Sequence, residues 1–225
     1  MEAIGFYAEL RRREIMILKK ENVLKALEEV YKDKGKRKFK QTIEMAINFR
    51  GIDFSKPENR LNLEIPLPKG KGKESGVVVF ADGDIAVNAK KIGAQVFSGD
   101  EIPKITKQQI RKHFSSVLIA QPNLMAVVGK SLGKFLAPRN KLPFPLRGDL
   151  KAMVDMAKRT VVVKSKGKYL PVAHVPVGSE DMLPEDIFEN IEAIYEKVVN
   201  KTGEHNIKSI FLKSTMGKAQ KVEMK

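Results

Sequence analysis

The stretch Pro66-Leu67-Pro68-Lys69-Gly70-Lys71-Gly72-Lys73 restricts the fold of this chain more than any other. Proline has no backbone N–H to give to a ladder, and glycine weakens any regular element, so neither a helix nor a central strand runs through it. The patterns on its two sides differ. Upstream, Ile43, Met45, Ile47 and Phe49 alternate with Thr42, Glu44, Ala46 and Asn48, and Leu61, Leu63, Ile65 and Leu67 alternate with Asn62, Glu64 and Pro66. A period of two predicts half-buried strands. Residues 51–60, with Pro57, read as the connection between them.

Downstream, strand runs and helix patterns take turns. Residues 76–82 read as a buried strand, 84–93 as a short helix capped by Asp82 or Asp84, 95–97 as a strand, 106–114 as a helix and 116–120 as a strand. Leu124, Val128, Leu132 and Phe135 mark a helix broken by Gly129 and Gly133. The piece 137–145 reads as turns, and a helix follows over 149–159. Alternating strands and helices predict a small parallel α/β domain.

The pattern changes back near Thr160. Strands are expected at 160–163 and 169–177 around the turn 164–168, then a helix from Pro184 with the apolar face Ile187, Ile191, Ile194 and Val198, closed by Gly203. Glu185 and Asp186 fall in its first turn, where acids suit the helix dipole. At the other end, Val23, Leu24, Leu27, Val30 and Tyr31 have helical spacing after Asn22, a plausible cap. Ile4, Tyr7 and Leu10 suit one helix face, but Met16 is an equally good start for the chain.

A chain of 225 residues that is 42% hydrophobic and 31% charged has enough apolar residues for a folded core. Its net charge of +15 attracts polyanions, so nucleic acid or an anionic membrane is the first partner class to consider. The charge is uneven. Residues 67–159 hold 17 Lys and Arg against 7 Asp and Glu, whereas 160–225 hold 10 against 9. There is no apolar run of membrane-spanning length and no signal-peptide layout, so a cytosolic location is expected. Without cysteine, disulfides, thiolate nucleophiles and thiolate metal sites are excluded.

Two stretches carry candidate chemistry. In the first, Ile207–Phe211 has strand character and leads into Ser214-Thr215-Met216-Gly217-Lys218, with Lys213 just before it, and Lys-Val-Glu-Met can form a short closing strand. Hydroxyls that can meet 2′-OH groups, a glycine that permits close approach and two lysines suit a ribose–phosphate surface. They equally suit a solvated hairpin turn. In the second, Lys34 to Thr42, the aromatic Phe39 stands among cations that include Lys38 and Lys40. Phe39 shares the parity of the buried residues of the next strand, so it reads either as the first core residue of that strand or as an exposed ring packed on a nucleotide.

Other motifs fail on mechanism. The run from Gly70 to Gly76 precedes a strand, whereas a dinucleotide-binding fingerprint follows one. Gly129-Lys130-Ser131 lacks the glycine five residues upstream that a phosphate loop needs, since Leu124 stands there. His113, His174 and His205 have no ligand spacing to one another.

Six pieces in order give the chain a family likeness: Lys38-Phe39-Lys40-Gln41-Thr42, Asn48 to Asp53, Leu67 to Lys73, Leu136 to Pro143, Val175 to Gly178, and Ser214 to Gly217. Together, from about Met16 to Glu223, they resemble the large-subunit ribosomal stalk protein family, ribosomal protein L-one, of archaeal type. Residues 1–15 lie outside the pattern, and 143–148 depart from the usual polar continuation of their motif.

The resemblance implies an α/β protein of two domains. Residues 1–66 and 160–225 would form one discontinuous RNA-binding α+β domain built on a split β-α-β sheet. Residues 67–159 would form an inserted Rossmann-like domain, with a hinge at Pro66, Pro68, Arg159 and Thr160. It further implies a structural protein without cofactor, metal or catalytic residue, cytoplasmic and monomeric outside the ribosome. Its partners would be the stalk region of large-subunit rRNA, deacylated tRNA in the exit site and its own messenger, which it would repress. Carried over by motif, the RNA contacts would be Lys38, Phe39, Thr42, Ser209, Thr215, Met216 and Gly217, with Glu28 on the first helix. Lys40, Lys213 and Lys218 would neutralise phosphate. The alternative is an enzyme whose Rossmann-like domain handles a phosphorylated compound, and a third reading is an RNA chaperone without a defined site.

Overall fold

The computed structural model of the protein describes residues 18–73, 75–113, 116–139, 141–165 and 170–224. In chain order the elements are α1 (Lys20–Tyr31), β1 (Thr42–Phe49), β2 (Asn62–Pro66), β3 (Val77–Phe80), α2 (Gly83–Lys91), β4 (Gln95–Phe97), α3 (Lys107–Lys112), β5 (Val117–Ala120) and α4 (Pro122–Leu136). There follow β6 (Phe144–Pro145), α5 (Leu150–Arg159), β7 (Thr160–Lys164), β8 (Val172–Ser179), α6 (Pro184–Thr202), β9 (Ile207–Ser214) and β10 (Gln220–Val222). They fall into two compact units, residues 1–72 with 161–225, and residues 73–160.

The first unit is built on an antiparallel sheet of order β10-β9-β1-β8, and β2 and β7 pair separately. β1 is central, and its residues alternate between part-exposed and buried along its whole length. The buried set, Ile43, Met45, Ile47 and Phe49, packs with Val175, Val177, Ile210 and Leu212 beneath the apolar faces of α1 and α6. Full burial of an aliphatic side chain of this kind contributes roughly 1.5–3 kcal/mol. The other face of the sheet carries Thr42, Glu44, Ala46 and Asn48.

The second unit has a parallel sheet of order β4-β3-β5-β6. Ile110 of α3 and Leu124, Val128, Leu132 and Leu136 of α4 pack on one face, against Val78, Phe80 and Leu118. Ala89 of α2 and Val154 and Ala157 of α5 pack on the other, against Val79 and Ile119. The short β6, which lies in the stretch expected to be turns, pairs with β5 at the sheet edge.

Several expectations are corrected. The α4 helix runs unbroken through Gly129 and Gly133, at each of which an added Cβ would meet nothing within 4 Å. The buried stripe Leu124–Leu136 outweighs the cost of about 1 kcal/mol for each helical glycine. Asn22 is not a cap, because α1 begins at Lys20; its amide instead donates to the Glu223 carbonyl at 2.8 Å. β9 extends to Ser214, whose side chain is buried and not part of an open turn.

The first crossing between units lies after Gly72, so residues 67–72 belong with the first unit and not with the middle segment. Leu67 is buried in the first unit's core. The wholly buried Asn190 of α6 accepts from the Lys69 N–H at 3.0 Å and donates to the Gly70 carbonyl at 2.9 Å. Gly72 has φ +64° and lies where a Cβ would clash with Met182 and Ser179, which requires glycine there. Pro66 and Pro68 therefore lie inside the first unit, short of the crossing, while Arg159 and Thr160 sit at the second crossing. The helix face suggested by Ile4, Tyr7 and Leu10, and most of the turn 164–168 with Tyr169, lie outside the described residues.

Candidate nucleic-acid interface

The start of β1 and the β9–β10 loop are tied together by three hydrogen bonds. The Thr42 N–H donates to Thr215 Oγ1 at 3.1 Å, and the Thr215 hydroxyl donates back to the Thr42 carbonyl at 3.2 Å. The Met216 N–H donates to Gln41 Oε1 at 3.1 Å. Register explains the meeting: Ile43 pairs with Ser214, so the residues that precede β1 and those that follow β9 leave the sheet side by side.

Gln41 is the hub. Its side chain is 1% exposed, and its amide also donates to the Asp33 carbonyl at 3.3 Å and to Glu180 Oε2 at 3.4 Å. Its carbonyl accepts from the Glu180 N–H at 3.0 Å. One residue thus fixes the turn after α1, the loop before α6 and the tip of the β9–β10 loop. Tyr31 adds a second tie, its hydroxyl donating to the Met182 carbonyl at 2.7 Å, and burial raises its pKa to about 12.

With the backbone held, two large apolar side chains stand out from it. Phe39 is 50% exposed and Met216 is 60% exposed. This decides between the two readings of Phe39: the strand begins only at Thr42, so Phe39 is an exposed ring and not the first core residue. Gly217 lies directly over Ser214, whose hydroxyl is buried without a hydrogen-bond partner, and a Cβ on Gly217 would run into that oxygen. A side chain at 217 would have to turn the Ser214 hydroxyl aside, and glycine leaves the loop tip thin.

The cations differ in their commitments. Lys38 and Lys218 are exposed and Lys213 is half-buried. Lys40 is paired with Asp181 at 2.7 Å, with both side chains largely in solvent. The pair holds the Asp181 carboxyl below, and the Lys40 ammonium above, its ordinary value. Lys36 pairs with Asp33 at 2.7 Å.

Not every expected residue joins this cluster. Glu28 is exposed on α1, away from that helix's buried stripe. Ser209 lies six residues before Thr215 on β9, about 20 Å away at the strand rise of roughly 3.3 Å per residue. Its hydroxyl accepts from the Asn48 amide at 3.0 Å. Thr215, expected to bond RNA, already uses its proton on Thr42, so only its acceptor capacity remains.

Gln41 and Asn48 are absent from the expected set. The sequence does carry a signal for Gln41: it extends the buried parity of β1 by one polar residue, and a buried amide needs partners. Among the described residues no group of His, Asp or Glu side chains could hold a metal ion, and no helix is long and apolar enough to cross a membrane.

Comparison with known proteins identifies the family. Residues 24–218 match the model of the ribosomal protein L1p/L10e family. The chain is 40% identical over 218 residues to the large ribosomal subunit protein uL1 of Thermococcus kodakarensis, covering 92% of this chain and all of that one. It is 39% identical to that of Archaeoglobus fulgidus, with 92% and 100% covered, and 39% identical to that of Methanocella arvoryzae, with 90% and 99% covered. This match sets the enzyme reading aside. The chain belongs to the ribosomal protein L1p/L10e family and is a structural protein of the cytoplasmic ribosome, not an enzyme.

Proposed function

We propose that the protein binds the stalk region of large-subunit rRNA through the surface around Phe39, Thr42, Thr215, Met216 and Gly217. The observation that carries this reading is the exposure of Phe39 and Met216 beside a backbone that hydrogen bonds hold rigid. Folded RNA is recognised by shape, by riboses and by splayed bases, and two apolar side chains on a fixed frame suit that task. Lys38, Lys213 and Lys218 supply phosphate neutralisation, and Lys40 joins them when it leaves Asp181.

The rest of the reading follows from the family. The RNA-binding domain is the first unit, and the middle segment is a Rossmann-like domain whose basic surface makes secondary contacts with RNA or tRNA. A hinge near Arg159, Thr160 and the crossing after Gly72 lets the stalk help move deacylated tRNA out of the exit site. The same surface, free of the ribosome as a monomer, binds a similar structure on the protein's own messenger and represses its translation.

The test is a titration of the whole chain against the stalk rRNA fragment and an unrelated hairpin at several salt concentrations. Selective binding is expected, weakened by roughly 1–3 kcal/mol in Thr215→Ala or Met216→Ala with little change in salt slope. Equal binding to both RNAs, with a steep slope and indifferent variants, would overturn it.

A further inference from the structure

The second unit carries a cavity of about 410 Å³ between α2 and the start of α5. On α2 it is lined by Ile85, Asn88 and Lys91, with Ile92 just beyond; these lie three or four residues apart and so share one helix face. The same helix is anchored on the sheet by Ala89. Across the cavity stand Leu146, which follows β6, and Leu150 and Lys151 in the first turn of α5. Leu146 and Leu150 are buried in the unit's core and Ile85 packs against it, so the floor is aliphatic and part of a packed layer. Ile92, by contrast, is 41% exposed. Gly148 also lines the cavity, and an added Cβ there would meet nothing within 4 Å.

The rim is basic. Lys91 and Lys151 line the cavity, and the exposed Lys90 and Arg147 adjoin lining residues. Among the described residues none of these four cations forms an ion pair. Acids nearby are fewer. Asp149 accepts from the Ala152 N–H at 3.0 Å as the cap of α5, and Asp84 stands exposed in the first turn of α2. An aliphatic floor beneath a cationic rim suits an occupant that brings an apolar anchor together with negative charge. The lining favours protein over nucleic acid. Bases are held by stacking on aromatic rings, and no described aromatic residue lines this cavity. Amphipathic helices instead seat aliphatic side chains in grooves of this kind.

We propose that the second unit is a protein-docking module. Its cavity takes the apolar anchors of an acidic amphipathic segment of another protein, whose carboxylates meet Lys91 and Lys151. The inference stands apart from the rRNA-binding reading, because the cavity shares no residue with the surface around Phe39 and Met216 and lies in the other unit.

The probe is a displayed library of random peptides, selected on the immobilised full chain with the stalk rRNA fragment in excess. Selected sequences should combine acids with apolar residues at helical spacing. A synthetic copy of the strongest one is then titrated. Ile92→Glu and Lys151→Glu, both at exposed positions, should each weaken it about tenfold or more, as loss of an interface anchor does. Ile92→Leu should bind nearly as the parent does, and added salt should weaken binding. Amide shifts caused by the peptide should centre on Asn88, Ile92 and Gly148. Affinity for the stalk fragment should be the same in all these variants.

A selection that yields no acidic, apolar consensus overturns the proposal, and so does a peptide indifferent to both glutamate substitutions. If the unrelated hairpin moves the same amides and displaces the peptide, the occupant is nucleic acid and the proposal falls. Each of these results leaves the rRNA-binding reading standing, whereas a parent chain that does not prefer the stalk fragment sinks that reading alone. Should Ile92→Glu fold poorly, Lys151→Glu decides the matter.

Discussion

The two units use positive charge in opposite ways. Residues 73–160 carry 15 Lys and Arg against 7 Asp and Glu within 88 residues, whereas the other 137 residues carry 27 against 20. By density of charge the middle segment is the polyanion binder. Yet the arrangement we propose for RNA recognition lies in the first unit, where Lys36, Lys40 and Lys69 are paired with acids and a ring and a thioether stand exposed beside Lys38, Lys218 and a thin glycine loop. A diffuse basic surface attracts any nucleic acid and is screened by salt. A rigid frame with apolar groups discriminates by fit. Net charge therefore points to a class of partner, and the site must be found from hydrogen bonds and exposure.

The sharpest way to break this contrast is to weaken each unit's core in turn. Ile47 lies wholly buried in the first unit and Ile119 wholly buried in the second, in separate cores. Each change to alanine should cost about 2–5 kcal/mol of its own unit's stability. Ile47→Ala should also lower affinity for the stalk fragment, because β1 carries Thr42 and Asn48. Ile119→Ala should leave that affinity intact. Calorimetry with a parallel RNA titration reads both, and an equal loss of affinity in the two variants would erase the distinction between the units.

A smaller effect isolates the frame from the groups it presents. Gln41→Ala removes the acceptor of the Met216 N–H and leaves Glu180 without its amide partner, in a site almost closed to water. Unsatisfied groups of this kind cost roughly 1–3 kcal/mol. The variant should bind the stalk fragment about as weakly as Met216→Ala does, although Gln41 is itself too buried to touch RNA. Chemical denaturation and the same titration separate the two losses; full affinity in a destabilised Gln41→Ala protein would mean that the loop needs no positioning.

The alternation over 42–49 and the helical stripe of Ile187, Ile191, Ile194 and Val198 were both legible in the sequence, because each reflects a repeat of buried apolar residues. What escaped depends on partners distant in sequence. Asn190 interrupts the apolar stripe of α6, but its job of holding residues 69 and 70 appears only once 120 residues of chain have folded between them. The unbroken α4 was hidden because glycine propensity is local, while the stripe that overrides it is a property of the packed unit. At the site, residue types were readable from the motifs. Their division of labour, with Thr215 latching the frame and Gln41 beneath it, required the register of β1 and β9.

The smallest effect bears directly on the charge contrast. Lys40 and Asp181 are exposed enough for solvent to screen their pairing, so Asp181→Asn should leave the melting temperature at neutral pH and physiological salt unchanged. Because folding lowers the Asp181 pKa, whatever the pair contributes is present above the ordinary carboxylate range and is lost as pH falls through the lowered value. Because folding raises the Lys40 pKa, it is lost again as pH rises through that raised value. RNA reports differently. Freed from Asp181, Lys40 can turn to phosphate, and each added phosphate contact steepens the salt slope by about 0.7 to 0.9. A slightly tighter, more salt-sensitive complex is therefore expected from Asp181→Asn. An unchanged slope would mean that Lys40 never reaches RNA, and that the first unit reads its target with even less help from charge than its exposed lysines suggest.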